Sequence, residues 1–157
     1  MAPSAGTHYT YRTAFGPLTI AATADAITAV ALDARDFPGA SAPSLLSNRC
    51  ANQLQEYFAG KRTAFDLPLA VEGSPFQQRV WQAIAAIPYG QTRTAADIAA
   101  AVGDPEARRA VGIAVRRNPA AVLIPAHRVV SARGTIEGTD RSSELRRACL
   151  RLEQAHA

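Results

Sequence analysis

Cysteine is scarce in this sequence. Cys50 and Cys149 are the only two in 157 residues. They stand far apart, in no CxxC pattern and with no Cys/His ligand spacing, which argues against a disulfide-stapled fold and a structural zinc site. Both are expected to be reduced thiols in the core, and no metal or cofactor is implied. Long apolar runs are missing too. No segment approaches the ~20 residues of a membrane-spanning helix, so no membrane partner is expected. The N-terminus has no charged-then-apolar leader pattern, and a cytoplasmic protein is expected. There are no repeats, and no low-complexity stretch beyond a richness in alanine. What is there is 48% hydrophobic and 19% charged. That suits a globular chain of one domain or two small ones.

The charge is uneven. Residues 1–73 hold five Lys/Arg against six Asp/Glu, and residues 74–157 hold twelve Arg against seven Asp/Glu. The first part is net −1 and the second net +5, so the second half is the candidate surface for a polyanion. A solvated basic face is the alternative.

Tyr9, Tyr11 and Thr13 alternate with Thr10 and Arg12; Leu18, Ile20 and Ala22 alternate with Thr19, Ala21 and Thr23; and a third run passes through Ile27, Val30 and Leu32. These predict an antiparallel meander. Ser44 can cap a helix through Phe58, with Leu46, Cys50, Leu54 and Tyr57/Phe58 on one face and Gly60 as its stop. Thr63 to Leu69 reads as a further strand, and Val71–Gly73 as the link to a second domain, 74–157.

Ser74-Pro75-Phe76-Gln77 reads as a capping box with proline at the first helical position. Phe76, Val80, Ala83, Ile84 and Ile87 form the buried stripe, and Trp81 is expected in the core. Thr94 caps a helix through Val102. After Gly103-Asp104, Pro105 opens another helix to about Arg117, loaded with Arg108, Arg109, Arg116 and Arg117. Two short helices around a glycine turn, the second basic, make a helix-turn-helix candidate for DNA contact. A last helix is expected from about Ser142 to Gln154, with Leu145, Cys149 and Leu152 on one face.

Between these helices lies Ile124-Pro125-Ala126-His127-Arg128-Val129-Val130, read as a buried or half-buried strand end. Together with Phe76–Trp81, Ile87-Pro88-Tyr89-Gly90, Arg109-Ala110-Val111-Gly112 and Asn118-Pro119, in this order and spacing, it resembles the O6-alkylguanine-DNA alkyltransferase family (methylated-DNA–protein-cysteine methyltransferases). The resemblance covers most of the chain. It implies an α/β N-terminal domain, with a ribonuclease-H-like antiparallel sheet plus a helix, over 1–73. A mainly helical, winged-helix-like DNA-binding domain with a helix-turn-helix would follow over 74–157.

In that family the position of Ala126 is the cysteine that takes the alkyl group. His127 and Glu153 match the histidine and glutamate that draw its proton through water, and Asn118 matches the asparagine supporting the loop. Arg109 matches the arginine that fills the gap left by a flipped guanine. The resemblance also places Thr94, Ala95, Arg108, Arg116 and Arg128 at the DNA, and Pro125, Val129, Thr139 and Asp140 around the alkyl pocket. The chain departs from the family at Ala95 and Thr139, where tyrosines are usual, and at Arg141. Above all it departs at Ala126, which has no lone pair with which to accept an alkyl group.

Three readings follow. One is a cysteine-less relative, similar to alkyltransferase-like proteins, that binds O6-alkylguanine in double-stranded DNA and passes it to nucleotide-excision-repair proteins. The second is an alkyltransferase whose acceptor cysteine has been changed to alanine. The third is a degenerate DNA-binding or regulatory protein that keeps only the scaffold. Substitution of the acceptor alone does not account for Ala95 and Thr139, which favours the first. Cys149 and Cys50 are expected in the core rather than as substitute acceptors. The family implies a monomer.

Overall fold

In the computed structural model, which describes residues 6–156, the aromatic-rich alternation forms the first hairpin. β1 (Thr7–Thr13) and β2 (Gly16–Ala22) pair antiparallel from Thr7↔Ala22 to Thr13↔Gly16. The Thr13 hydroxyl accepts from the Phe15 amide and donates to the Gly16 carbonyl. Gly16 takes a φ of 96°, which the tight turn requires. β3 (Ile27–Ala31) pairs antiparallel with β2, and β4 (Ala40–Ser41) pairs parallel with β1. The order is β3-β2-β1-β4. The expected antiparallel meander therefore gains one parallel edge, because residues 32–39 cross over to its far side instead of closing another hairpin.

β2 is the central strand, with Leu18 to Ala22 all buried. α1 (Leu45–Phe58) packs against it and buries Cys50, Leu54 and Tyr57. Ser44 and Ser47 form a reciprocal capping box at its start. The strand expected over 63–69 does not form: Leu69 makes only an isolated bridge to Ile27. The reason lies in a side chain. The buried Gln53 amide accepts from the Asp66 N–H at 3.0 Å and donates to the Asp66 carbonyl at 3.4 Å, doing the work of a neighbouring strand. Residues 119–121 also belong to this unit. The Val30 amide donates to the Pro119 carbonyl, and the Ala121 amide donates to the Val30 carbonyl.

The second unit comprises residues 73–118 and 122–157. Relative to a division at 73/74, Gly73 moves to this unit, where a Cβ on it would lie 2.4 Å from the Trp81 ring. α2 (Pro75–Ala85) begins at the Ser74/Gln77 capping box. Trp81 is buried and donates its indole N–H to the Ala114 carbonyl at 3.0 Å. β5 (Arg93–Thr94) leads into α3 (Ala95–Ala101). α4 (Arg108–Arg116) starts three residues later than Pro105, since 104–107 close as a separate turn with the Ala107 amide on the Asp104 carbonyl. A 3₁₀ turn at Ala126–Arg128 runs into β6 (Val129–Val130), which pairs parallel with β5. α5 (Arg141–His156) closes the unit. No described helix is long and apolar enough to cross a membrane.

Candidate functional site

The loop before the 3₁₀ turn is held by a side chain and a strained residue. The Asn118 amide donates to the Ile124 carbonyl at 2.8 Å. Val122 sits at a φ of 71°, a left-handed conformation that β-branched residues rarely adopt. Pro125, at φ −80° and ψ 65°, forms an inverse γ-turn in which the Ala126 amide donates to the Ile124 carbonyl at 2.7 Å. The Arg128 amide then closes on the Pro125 carbonyl at 2.9 Å. Ala126 and His127 therefore stand on a buried 3₁₀ turn rather than on a strand end.

His127, Arg128 and Glu153 converge in the core of this unit, exposed by 2%, 8% and 0%. His127 Nε2 lies 2.5 Å from Glu153 Oε2. Arg128 donates from Nε to Glu153 Oε1 at 2.8 Å and from Nη2 to Oε2 at 3.1 Å. Its Nη1 donates to the Ile87 carbonyl at 2.6 Å, and its guanidinium carbon stands 5.7 Å from the centre of the Tyr89 ring. The Gly90 amide donates to Glu153 Oε1 at 3.0 Å. Burial by itself raises the Glu153 carboxyl; the hydrogen bonds from His127, Arg128 and the Gly90 amide outweigh it and hold the acid well below its usual range. Burial lowers the His127 pKa, against the opposing pull of Glu153. The ring is then neutral at pH 7. A carboxylate only accepts, so Nε2 carries the ring proton and Nδ1 is the acceptor. Chemically this is an oriented base.

Arg128 was expected at the DNA, and that assignment is corrected: the side chain is buried and all three of its nitrogens face Glu153 or a carbonyl. Its neighbours, apolar on both sides in sequence, carried the signal. Gly90 and Ile87 were not anticipated as partners of the site, because backbone donors and acceptors leave no trace in residue type.

Arg108, Arg109, Arg116 and Arg117 are exposed along and just beyond α4, and no described carboxylate lies within salt-bridge distance of them. Thr94 is the N-cap of α3, its hydroxyl accepting from the Asp97 amide, and Ala95 is the first residue of that helix.

A cavity of about 460 Å³ opens between α4, β6 and the start of α5. Val129 and Asp140 line it, as does Arg146; Pro125 and Thr139 do not. Thr139 is exposed and Pro125 is buried. The Ser143 hydroxyl donates to Asp140 Oδ1 at 2.5 Å, and Arg147 anchors the preceding loop through the Ile136 and Gly138 carbonyls. Cys50 and Cys149 are buried and form no disulfide, and burial pushes the Cys50 thiol up to about 12. Among the described residues no three His, Cys, Asp or Glu side chains are grouped to hold a metal ion.

Residues 7–71 match the family model described as the 6-O-methylguanine DNA methyltransferase ribonuclease-like domain. Residues 75–155 match the model of its DNA binding domain. A constitutive methylated-DNA–protein-cysteine methyltransferase of Bacillus subtilis is 42% identical over 156 residues, 92% of this chain and 93% of that protein. A methylated-DNA–protein-cysteine methyltransferase of Mycobacterium bovis is 39% identical, covering 96% and 94%. The crystal structure of the Mycobacterium tuberculosis O6-methylguanine methyltransferase superposes with a TM-score of 0.88 at 37% identity, covering 97% of this chain and 94% of that one. The same organism's OGT in complex with DNA gives 0.87 at 38% identity, covering 96% and 94%.

Proposed function

The chain belongs to the 6-O-methylguanine DNA methyltransferase family, and from that membership we propose that it binds double-stranded DNA and recognises O6-alkylguanine without removing the alkyl group. The observation that carries this reading is Ala126. Transfer requires a thiolate sulfur to bond to the alkyl carbon while the carbon–O6 bond breaks and guanine leaves with the electron pair. A methyl side chain offers neither the lone pair nor the proton that His127 would take up. The base and its orienting carboxylate nevertheless remain within 2.5 Å of each other. The exposed arginines of α4 supply phosphate contacts, and Arg109 fills the stack when a weakly paired lesion turns out. The relative crystallised with DNA supports the partner class.

The test is a titration on matched duplexes carrying one O6-methylguanine or one guanine, at one stated salt concentration. Tighter binding to the lesion is expected, with the methyl group still on the DNA afterwards. Equal binding would leave only a DNA-binding scaffold, and no binding to either would end the DNA reading. Ala126→Cys is the complementary measurement. With the relay in place, the variant should take up methyl from the lesion duplex to at most one per chain, read by mass spectrometry. Ala126→Cys/His127→Gln should do so much more slowly.

A further inference from the structure

We propose that His8 and Asp36 form a pH-sensitive latch, in which the protonated imidazole pairs with the carboxylate and fastens residues 33–39 across one face of the first unit's sheet. His8 lies on β1 and is 5% exposed. Both of its ring nitrogens are buried, and neither has a hydrogen-bond partner. Buried polar groups are nearly always paired, so this imidazole calls for an explanation. Asp36 Oδ1 stands 3.6 Å from His8 Nε2, too far for a hydrogen bond, and the Asp36 side chain is fully exposed. Among the described residues no other carboxylate lies within salt-bridge distance of His8.

Residues 33–39 form a strap that is anchored at both ends and carries the carboxylate between them. At its start the Thr19 hydroxyl donates to the Asp33 carbonyl at 2.5 Å and accepts from the Arg35 amide at 3.1 Å. At its end Gly39 takes a φ of 107°, with the Gly6 carbonyl where a Cβ would stand. β4 follows at once and pairs with Thr7 and His8. The hydroxyls of Thr10 and Thr19 lie 2.8 Å apart on the His8 face of the sheet. Tyr11, on the other face, bonds to Ser47 and Asn48 of α1. The strap therefore covers the face that α1 leaves open.

Few charges face the ring. Its cross-strand neighbours are Ala21 on β2 and Ser41 on β4, and the Phe37 ring lies 6.1 Å away. None of these titrates. Asp33 and Arg35 on the strap pair with each other at 3.3 Å. Arg12, the other charge on this face of β1, is two alternations along the strand. A proton on the ring thus has one carboxylate to answer it. Histidine is the side chain whose charge changes between pH 5 and 8. Neutral, the buried ring has little hold on an exposed carboxylate. Protonated, it attracts Asp36, and an approach of about 1 Å makes a charge-assisted hydrogen bond. The latch closes as pH falls and opens as pH rises, opposite in sign to the response of the His127 cluster in the second unit.

The experiment is amide hydrogen exchange on the full chain at pH 5.5 and pH 8, with each rate expressed as protection relative to the unfolded chain at the same pH. The Asp36, Phe37 and Gly39 amides are expected to be about threefold to fivefold better protected at pH 5.5, the range of an exposed ion pair. The β2 and β3 amides should show no such gain. Asp36→Asn alters an exposed side chain, so it should fold with an unchanged Tm at pH 8 and lose the difference. Equal protection of the wild-type strap at the two pH values overturns the proposal. So does a difference that survives in Asp36→Asn, which would place the response on another group. A gain shared by β2 and β3 also overturns it, since that would report the stability of the whole unit rather than a latch.

Discussion

At the scale of the residue, Glu153 is the group on which most depends. It is fully buried and accepts from Arg128 twice, from His127 and from the Gly90 amide. Removing Arg128 strands a carboxylate in the core, so Arg128→Ala should cost about 3–5 kcal/mol in urea unfolding. A cost under ~1 kcal/mol would mean water reaches the site. The same cluster sets the pH dependence. His127 has a folded pKa below its ordinary 6.5, and Glu153 one below its ordinary 4.5. As pH falls through 6.5 the unfolded chain binds a proton that the buried ring refuses, so the contribution of His127, complete above 6.5, is lost towards its folded pKa. Glu153 adds a second loss once pH drops below about 4.5. Unfolding at pH 8 and pH 5 should therefore show lower stability at pH 5, and His127→Gln should shrink that difference. A difference of the opposite sign would refute a neutral buried imidazole.

At the scale of the element, the caps were the most legible features. Ser44, Ser74 and Thr94 each stand where a side-chain oxygen precedes an apolar period, and each caps a helix. The signal is local, and so is the physics: the first amides of a helix need acceptors within a few residues. Ser74→Ala should cost about 1 kcal/mol by thermal or urea unfolding, and no measurable cost would detach α2 from its capping box. What depended on distant partners was misread. Thr63 to Leu69 reads as a strand, but Gln53, from a helix, pairs with the Asp66 backbone in place of a neighbouring strand. The Ile124–Val130 run looked like a strand end, yet Asn118 and Pro125 bend it into a 3₁₀ turn before β6. Periodicity reports which residues are buried and is silent on which backbone groups meet.

At the scale of the whole molecule, the uneven charge makes a quantitative statement. If Arg108, Arg116 and Arg117 each displace one counterion from the duplex, log K should fall with log salt at a slope of about −3. Measured between 50 and 200 mM salt, a slope near zero would separate binding from these arginines. Arg109→Ala should do something different: it should narrow the preference for O6-methylguanine over guanine more than it weakens binding overall, because its proposed place is the vacated stack rather than a phosphate.

The sequence by itself determined the family, the order of the two parts and the starts of the capped helices α1, α2 and α3. Each of these is written in residue type and spacing along the chain. Only the tertiary structure decided that Arg128 is an internal cation rather than a DNA contact. It alone placed the Gly90 amide on Glu153 and buried His8 beside Asp36. Those outcomes rest on burial and on backbone groups meeting across long stretches of chain, and neither is encoded in any one segment.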